Sequence, residues 1–169
     1  MNQILLPNYL NIGGGSINKI TDILKSLDCN RPIIITDNTL LKLGVLDSLE
    51  KSLTSVQTRY KIFADTIPEP TAASIEKGVL EIRNGNYDCI IAFGGGSPID
   101  SAKAMSVLAK YGGTIKDYKF PNIVDKPGIP IIAIPTTAGT GSEVTKFTII
   151  TDENTEEKML CVGSSFMPT

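Results

Sequence analysis

The stretch Asp88–Lys103, which reads DCIIAFGGGSPIDSAK, decides the fold of this chain. Its apolar run from Cys89 to Phe93 is typical of a strand buried on both faces, as in a parallel sheet. Three glycines then permit a tight turn in which no Cβ keeps a ligand away from the backbone. Ser97 is a favourable N-cap and Pro98 a favourable first helical residue, so we expect a helix to begin here. Its free N–H groups would face the turn, which predicts an anion-binding site.

The composition is that of an ordinary globular domain with small-molecule partners. With 169 residues, 41% of them hydrophobic and 20% charged, the chain can bury one sizeable core. Its net charge of −2, without a basic run, argues against nucleic acid or an anionic membrane as a partner. No segment approaches the ~18 apolar residues of a membrane span, and the start lacks a positively charged leader. We therefore expect a cytoplasmic protein and leave homo-oligomerisation open.

Cysteine and histidine usage limits the chemistry available to the chain. Cys29, Cys89 and Cys161 are odd in number, far apart and in no C-x-x-C pair, so we expect reduced thiols rather than disulfides or a thiolate metal site. The chain contains no histidine. It therefore lacks both the commonest general base and the commonest transition-metal ligand.

Upstream of the glycine turn, strand and helix patterns alternate. We predict a buried strand at 32–37, a strand near 59–63, and helices at 17–27, 45–53 and 71–83, the last capped by Thr71. This alternation predicts an α/β protein with a mostly parallel, Rossmann-like sheet flanked by helices. Asp37, at the carboxyl end of the first strand, has two equally supported interpretations: it binds a ribose hydroxyl, or it caps the helix that follows.

A second Gly-Gly-Gly-Ser occurs at 13–16, before the helix predicted at 17–27. It has the composition of another phosphate-binding turn, but the segment before it carries Asn8 and Asn11 and makes a poor buried strand. We therefore favour a plain capped turn, with Ser16 as the N-cap.

The helix after Ser97 should bury an apolar stripe and end near 112–113. Asp100 and Lys103 fall on its first turns. Lys103 would either reach a phosphate or be solvated, and Asp100 would either order the glycine turn or favour the positive helix end.

A second strand and loop of the same kind lie at 131–145. The buried run 131–134 leads into a loop dense in hydroxyls and backbone donors, which suits phosphate oxygens or a carboxamide. Two such loops at the ends of the same kind of strand predict that they bind one ligand together. The segments 147–152 and 157–162 then predict a β-hairpin, with Lys158 on its return strand.

A simple dinucleotide fingerprint fits the glycine turn only in part. Residues 94–99 supply the first two glycines of G-x-G-x-x-G but place Ile99 at the third, and Asp37 precedes the turn instead of following it. The same ingredients in another chain order predict a Rossmann-like sheet of different topology.

Two long motifs resemble the iron-containing (group III) alcohol dehydrogenase family. They are GGGSPIDSAK at 94–103 and PTTAGTGSEVT at 135–145, in this order and spacing, and Asp37 also matches. The resemblance spans essentially the whole chain and corresponds to the family's N-terminal half. It implies that residues 1–169 form the dinucleotide-binding domain of a longer two-domain enzyme, whose helical C-terminal domain is absent.

The resemblance also implies a role for each cofactor-binding residue. Asp37 would bind the adenosine ribose, which favours NAD over NADP because a 2′-phosphate would be repelled. Gly94, Gly95, Gly96 and Ser97 would form the pyrophosphate turn, supported by Asp100. The remaining contacts, to the pyrophosphate, the nicotinamide and its ribose, would come from Thr136, Thr137, Thr140, Ile149 and Lys158. The chain departs from many relatives at Pro68-Glu69-Pro70, where they have Pro-Asn-Pro.

The family's catalytic metal, Fe²⁺ or Zn²⁺, would be held by one aspartate and three histidines beyond Thr169. We therefore expect no metal ligand or catalytic residue in this chain, and no activity from it alone. The function implied is that of an NAD-dependent alcohol dehydrogenase, which transfers hydride between a small primary alcohol or diol, or its aldehyde, and the nicotinamide. Two alternatives are a dinucleotide- or phosphate-binding module without catalysis and a metal-dependent lyase of the dehydroquinate-synthase type.

Overall fold

The computed structural model describes residues 6–169, in which strands and helices alternate as predicted. The first five residues, part of the start in which no leader is predicted, lie outside the described residues. The strands are β1 (Pro32–Asp37), β2 (Lys61–Thr66), β3 (Cys89–Gly94), β4 (Ile131–Pro135), β5 (Phe147–Asp152) and β6 (Glu157–Val162). The α-helices are α1 (Ile20–Ser26), α2 (Asn38–Lys42), α3 (Asp47–Ser55), α4 (Ala72–Gly85) and α5 (Gly96–Tyr111). Short 3-10 helices span Ser16–Lys19, Ile115–Tyr118, Ser142–Val144 and Ser164–Phe166.

Strands β1 to β4 form one parallel sheet in the order β2-β1-β3-β4. Ile34 of β1 pairs with Ile62 of β2 and with Ile91 of β3, and Ile91 also pairs with Ile132 of β4. Strands β5 and β6 form a separate antiparallel hairpin. The predicted α/β fold, with its mostly parallel sheet and late hairpin, is confirmed.

The central strands β1 and β3 separate two hydrophobic clusters, because successive side chains of a strand point to opposite faces. On one face, Ile33 and Ile90 belong to a cluster with side chains of α4, α5 and the hairpin. On the other face, Ile34 and Ile91 belong to a cluster with side chains of α1 and α3. All four isoleucines are fully buried. Coverage of both faces explains why these strands have continuous apolar runs instead of alternating polarity.

Helix α5 begins earlier than predicted. Its N-cap is Gly95, in an extended conformation, and Ser97 lies in the first turn of the helix without capping it. The chain has already turned at Gly94, whose φ is 150°, so the carbonyl of Gly95 can accept the first helical bond from the Ile99 N–H, at 3.3 Å. The prediction of Ser97 as the N-cap is therefore wrong. The predicted end near 112–113 is confirmed, with Gly112 as the C-cap.

The turn at 13–16 also starts its helix differently from the prediction. A 3-10 turn beginning at Ser16 precedes α1, and its N-cap is Gly15, with a φ of 78°. Ser16 Oγ donates to the carbonyl of Gly13 at 2.6 Å, so this hydroxyl closes the turn instead of capping the helix. The prediction of Ser16 as the N-cap is wrong for this reason.

The other boundaries agree with the sequence patterns in part. Thr71 caps α4 through a capping box with Ser74, as the sequence predicts. Helix α2 was not predicted from periodicity, since its five residues are too few for a helical pattern to repeat. Strand β2 begins two residues later than 59 and continues to Thr66.

The three cysteines are free and buried, in agreement with the expectation of reduced thiols. Burial raises the pKa of the Cys161 thiol to about 12. This thiol therefore stays protonated and unreactive at neutral pH. Among the described residues, no helix combines the length and the apolar character needed to cross a membrane.

Replacing Ile91 by Ala should lower the free energy of unfolding by about 2–5 kcal/mol, because it leaves a cavity between the sheet and helices α1 and α3. Urea denaturation followed by circular dichroism would measure the loss. Ile12→Ala is the matched control, since Ile12 is 92% exposed and should change stability by less than about 0.5 kcal/mol. Equal effects of the two substitutions would contradict the assignment of β3 to the core.

Candidate functional site

The glycine turn and the threonine loop lie side by side at the carboxyl edge of the sheet. Gly94 ends β3 and pairs with Pro135, which ends the neighbouring strand β4. The Thr136 N–H donates to the carbonyl of Gly94 at 3.0 Å, which continues the ladder into both loops. In open α/β sheets, this edge is where ligands bind.

The turn and the loop approach so closely that side chains on the glycines would meet the threonines. A Cβ on Gly95 would lie 3.2 Å from Thr137 Oγ1, and one on Gly96 would lie 3.2 Å from Thr140 Cγ2. A Cβ on Gly96 would also lie 3.5 Å from Ser142 Oγ. The two motifs thus come together as predicted, and any side chain larger than glycine would press on the threonines where they meet.

A cleft of about 240 Å³ opens between these loops, the hairpin and the loop before α4. Its lining residues are Glu69, Pro70, Gly96, Ser97, Asp100, Thr140, Ser142, Ile149, Thr151 and Lys158. Six of the predicted cofactor-binding residues are among them. Gly95 and Thr137 lie in the adjoining contact between turn and loop, and Gly94 and Thr136 lie at its base.

The sequence analysis did not single out Pro70, Ser142 and Thr151 as part of this cleft. Ser142 lies inside the 135–145 motif, and Thr151 follows Ile149 at a spacing of two, which places both on one face of β5. These two could have been found from the sequence. Pro70 carried no such signal, because its place depends on a contact with the hairpin.

Asp37 caps helix α2. Its Oδ1 accepts hydrogen bonds from the Thr39 and Leu40 N–H groups, both at 2.9 Å. Of the two interpretations offered by the sequence, the helix cap is therefore present. Asp37 does not line the cleft, but it ends the strand next to β3, at the same edge of the sheet. Its role at a ribose stays a prediction.

Asp100 lies in α5 beneath the glycine turn, with 20% of its side chain exposed. Burial raises the pKa of its carboxyl, and the Lys103 ammonium, 3.8 Å away, partly opposes the shift. The backbone carbonyl of Asp100 accepts a hydrogen bond from Thr148 Oγ1 at 2.8 Å. Asp100 thus connects the helix below the turn with strand β5, and its support of the turn stays a prediction.

Lys103 fits neither interpretation offered by the sequence. It is fully buried, so it is not solvated, and it is absent from the cleft lining. Its Nζ donates to the carbonyls of Thr145 and Phe147, at 2.9 and 2.8 Å. The sequence could not reveal these acceptors, which lie more than 40 residues along the chain.

An ion pair stands at the mouth of the cleft between Lys158 and Glu69, with Nζ and Oε1 3.3 Å apart. Both side chains are largely exposed, so the pair adds little stability. Glu69 has a φ of 51°, which is uncommon for a residue other than glycine. Where many relatives have Asn, this chain thus places the carboxylate of Glu69 against Lys158. Among the described residues 6–169, Lys158 is the only lysine that lines the cleft.

The hairpin contacts the rest of the domain near its turn, through Thr151, Asp152 and Glu153. The Thr151 N–H donates to the carbonyl of Pro70 at 2.8 Å, and Glu153 accepts from the Ala73 N–H at 3.1 Å. Lys116 donates to the Asp152 carboxylate at 2.7 Å. This contact and the Asn154 N–H lower the pKa of Asp152 to about 2. The first two contacts hold β5 beside the start of α4, and the third holds it beside the 3-10 helix Ile115–Tyr118.

The turn at 13–16 lies apart from the cleft. Gly13 and Ser16 line a separate cavity of about 480 Å³, which is bordered mostly by apolar residues of β4, α1 and the N-terminal segment. The turn is closed by its own hydrogen bonds, to the carbonyls of Gly13 and Gly15. It therefore has the form of the plain turn favoured by the sequence analysis, although Ser16 is not its cap.

The donor sets fit a dinucleotide and do not fit a metal. Helix α5 begins at Gly96, and Gly96 and Ser97 line the cleft, so the first helical N–H groups, which have no intrahelical acceptor, lie where a pyrophosphate can approach. In the part of the chain that the structure describes, no three His, Cys, Asp or Glu side chains cluster as metal ligands. We therefore derive no chemical step through a metal from these residues.

Known proteins share both the sequence and the fold. A sequence model of the family described as iron-containing alcohol dehydrogenase matches residues 7–169. The NAD-dependent methanol dehydrogenase of Bacillus methanolicus is 34% identical over 169 residues, which cover 100% of this chain and 44% of that enzyme. A crystal structure of 1,3-propanediol oxidoreductase matches with a TM-score of 0.93 at 30% identity, covering 99% of this chain and 44% of that one.

One related structure was solved with its cofactor. Sulfoacetaldehyde reductase from Bifidobacterium kashiwanohense, in complex with NAD⁺, matches with a TM-score of 0.91 at 27% identity. The match covers 100% of this chain and 45% of that one. The chain thus spans less than half the length of the relatives it matches.

Replacing Asp152 by Asn should flatten the loss of stability in acid. The folded-state pKa of Asp152, about 2, lies below its ordinary value of 3.8. Its ionised form therefore stabilises the fold fully above about pH 4, and this contribution is lost as the pH falls towards 2. Urea denaturation between pH 5 and 2 would measure the slope. Lys116→Met removes the partner cation but keeps the Asn154 N–H bond, so it should flatten the slope in part. An unchanged slope in both variants would contradict the contact.

Proposed function

The chain belongs to the iron-containing alcohol dehydrogenase family, and from this we propose that it holds NAD for hydride transfer from a small primary alcohol or diol to NAD⁺, and from NADH to the corresponding aldehyde. One observation carries the proposal: the glycine turn and the threonine loop meet at neighbouring strand ends and border one cleft with the hairpin. The NAD dependence of the methanol dehydrogenase and the NAD⁺ complex of the sulfoacetaldehyde reductase support the choice of cofactor.

The pyrophosphate would lie at the start of α5. The first N–H groups of a helix have no intrahelical acceptor and carry a partial positive charge, so they favour an anion. Gly96 and Ser97 border the cleft at this point, and Thr140 offers a hydroxyl from the opposite wall. Binding would rest on backbone donors and hydroxyls more than on cations, because Lys158 is already paired with Glu69.

The nicotinamide end would lie against the hairpin. Ile149 supplies an apolar surface for the ring, and Thr151 and Lys158 on the same wall supply donors for the amide and the ribose. Bound NAD would supply the hydride acceptor for alcohol oxidation and, as NADH, the donor for aldehyde reduction. The residues of this chain would orient the ring for that transfer.

The adenosine ribose would be bound by Asp37. Its Oδ1 already accepts two N–H groups of α2, which holds the carboxylate in one orientation at the edge of the sheet. The negative charge would repel a 2′-phosphate, which favours NAD over NADP.

The iron in the family's description implies a metal for the alcohol oxygen, with ligands outside the residues described here. We propose that this chain contributes cofactor binding, that the alcohol or aldehyde is chosen elsewhere in the whole enzyme, and that this chain alone does not turn over substrate. Cofactor binding without turnover by the whole enzyme would favour the binding-module alternative. The methanol dehydrogenase and 1,3-propanediol oxidoreductase relatives favour a dehydrogenase over the lyase.

Replacing Gly96 by Val should weaken NADH binding at least about tenfold, because the new side chain would fill the space between the turn and Thr140. A fluorescence titration with NADH would measure the dissociation constant. Gly14→Val is the matched control: it makes the same change in the other Gly-Gly-Gly-Ser, where a Cβ meets nothing within 4 Å. Equal binding by wild type and Gly96→Val would remove the glycine turn from the pyrophosphate site.

Replacing Asp37 by Asn should raise the affinity for NADPH relative to NADH by about tenfold. The amide oxygen can still accept from Thr39 and Leu40, so the helix cap is kept while the negative charge is lost. Parallel titrations with NADH and NADPH would give the ratio, and a thermal melt would check that the cap survives. A constant ratio would place the adenosine ribose away from Asp37.

A further inference from the structure

Lys103 is a fully buried cation that no step of cofactor binding described so far uses. It projects from α5 towards the segment that leads into β5. Its Nζ donates to the carbonyl of Thr145 at 2.9 Å, to that of Phe147 at 2.8 Å and to Thr145 Oγ1 at 3.2 Å. The three donors of the ammonium thus meet three acceptors on one short segment.

The chemistry of the segment explains why a lysine is needed here. The carbonyls of Thr145 and Phe147 are two residues apart, so in extended chain they point to the same side. Both bonds to these carbonyls are partly buried, so removing the donor would cost more than the loss of a fully solvated hydrogen bond. A buried ammonium is itself tolerated only when it is hydrogen-bonded and close to opposite charge. Asp100, 3.8 Å away, supplies that charge, and the negative charge of Glu143 also favours the ammonium form.

We propose that Lys103 is a positioning residue, which clamps the start of β5 onto α5 and thereby sets the hairpin at a fixed distance from the glycine turn. The inference rests on the proposed function, because its consequence concerns the nicotinamide end of the cofactor. It adds a residue that touches no ligand but determines where two walls of the cleft lie.

The geometry connects Lys103 to both walls. Gly96 and Lys103 are part of the same helix, about 10 Å apart along its axis at 1.5 Å per residue. Phe147, which Lys103 binds, opens β5 two residues before Ile149 in the cleft. Thr148 Oγ1 makes a second bond to α5, at the carbonyl of Asp100. The rigid helix therefore transmits the position of the turn to the hairpin.

The protonation state is consistent with this role. Burial lowers the pKa of Lys103 to about 8, and the carboxylates of Asp100 and Glu143 oppose the shift. The ammonium form therefore predominates at neutral pH, which keeps all three donors on Nζ.

The test compares Lys103→Met with Ser106→Ala in the 169-residue chain. Methionine keeps the length and apolar body of the side chain but removes every donor. Ser106 is the matched control, because it is buried in the same helix and also donates to a loop carbonyl, that of Ile129 at 2.7 Å. Each variant is titrated with NADH and with ADP-ribose, which lacks the nicotinamide, and amide hydrogen exchange is followed along the chain.

Lys103→Met should lower NADH affinity about tenfold, because a displaced hairpin would lose about one contact to the nicotinamide end. The affinity for ADP-ribose, which lacks the nicotinamide, should change less than about twofold. Amides of β5 should exchange faster than in wild type, whereas those of α4 should not. Ser106→Ala should leave the ratio of the two affinities at the wild-type value. If Lys103→Met does not fold, Lys103→Gln, which keeps a neutral donor, carries the same comparison with a smaller effect.

Equal losses for NADH and ADP-ribose, or no loss of either, would overturn the positioning role, as would unchanged exchange in β5. A wild-type chain that binds neither ligand would instead overturn the proposed function. In that case the exchange measurement would still decide whether Lys103 anchors the hairpin.

Discussion

The contact between the glycine turn and the threonine loop is the constraint on which the rest of the structure depends. A Cβ on Gly95 or Gly96 would meet a side chain of Thr137 or Thr140 at 3.2 Å, which is tighter than most real Cβ contacts. That approach is possible only because β3 and β4 are paired neighbours that end together at Gly94 and Pro135. The parallel order of the sheet, and with it the helices on both faces, is therefore what brings the two loops together.

The sequence predicted the features whose causes are local. Apolar runs identified β1, β3 and β4, Thr71 as an N-cap residue identified the start of α4, and two strand segments on either side of a turn identified the hairpin. The glycine and threonine motifs were also correctly placed on one cleft, because neighbouring parallel strands end at the same edge of a sheet. The start of α5 was misplaced because Ser97 has the chemistry of a cap, while the φ of Gly94 decides where the chain turns.

The features that the sequence could not give depend on partners far along the chain. Lys103 is indistinguishable in sequence from a solvated lysine, since its acceptors are 42 and 44 residues away. The same is true of Glu69, whose partner Lys158 is 89 residues away. The role of a charged side chain depends on the groups around it in the folded structure. Patterns in a single sequence describe only its neighbours along the chain. The contacts of the charged residues in this domain are thus determined by the tertiary structure and not by the local sequence.

The walls of the cleft come from four segments, which begin at Glu69 and finish at Lys158. A single segment cannot form this cleft, because the turn, the loop and the hairpin meet only when the parallel sheet and α5 are assembled. Any molecule bound there acts as a cross-link between segments that are distant in the chain. Its binding free energy is therefore added to the cooperative unfolding transition of most of the domain, instead of to the fraying of one loop.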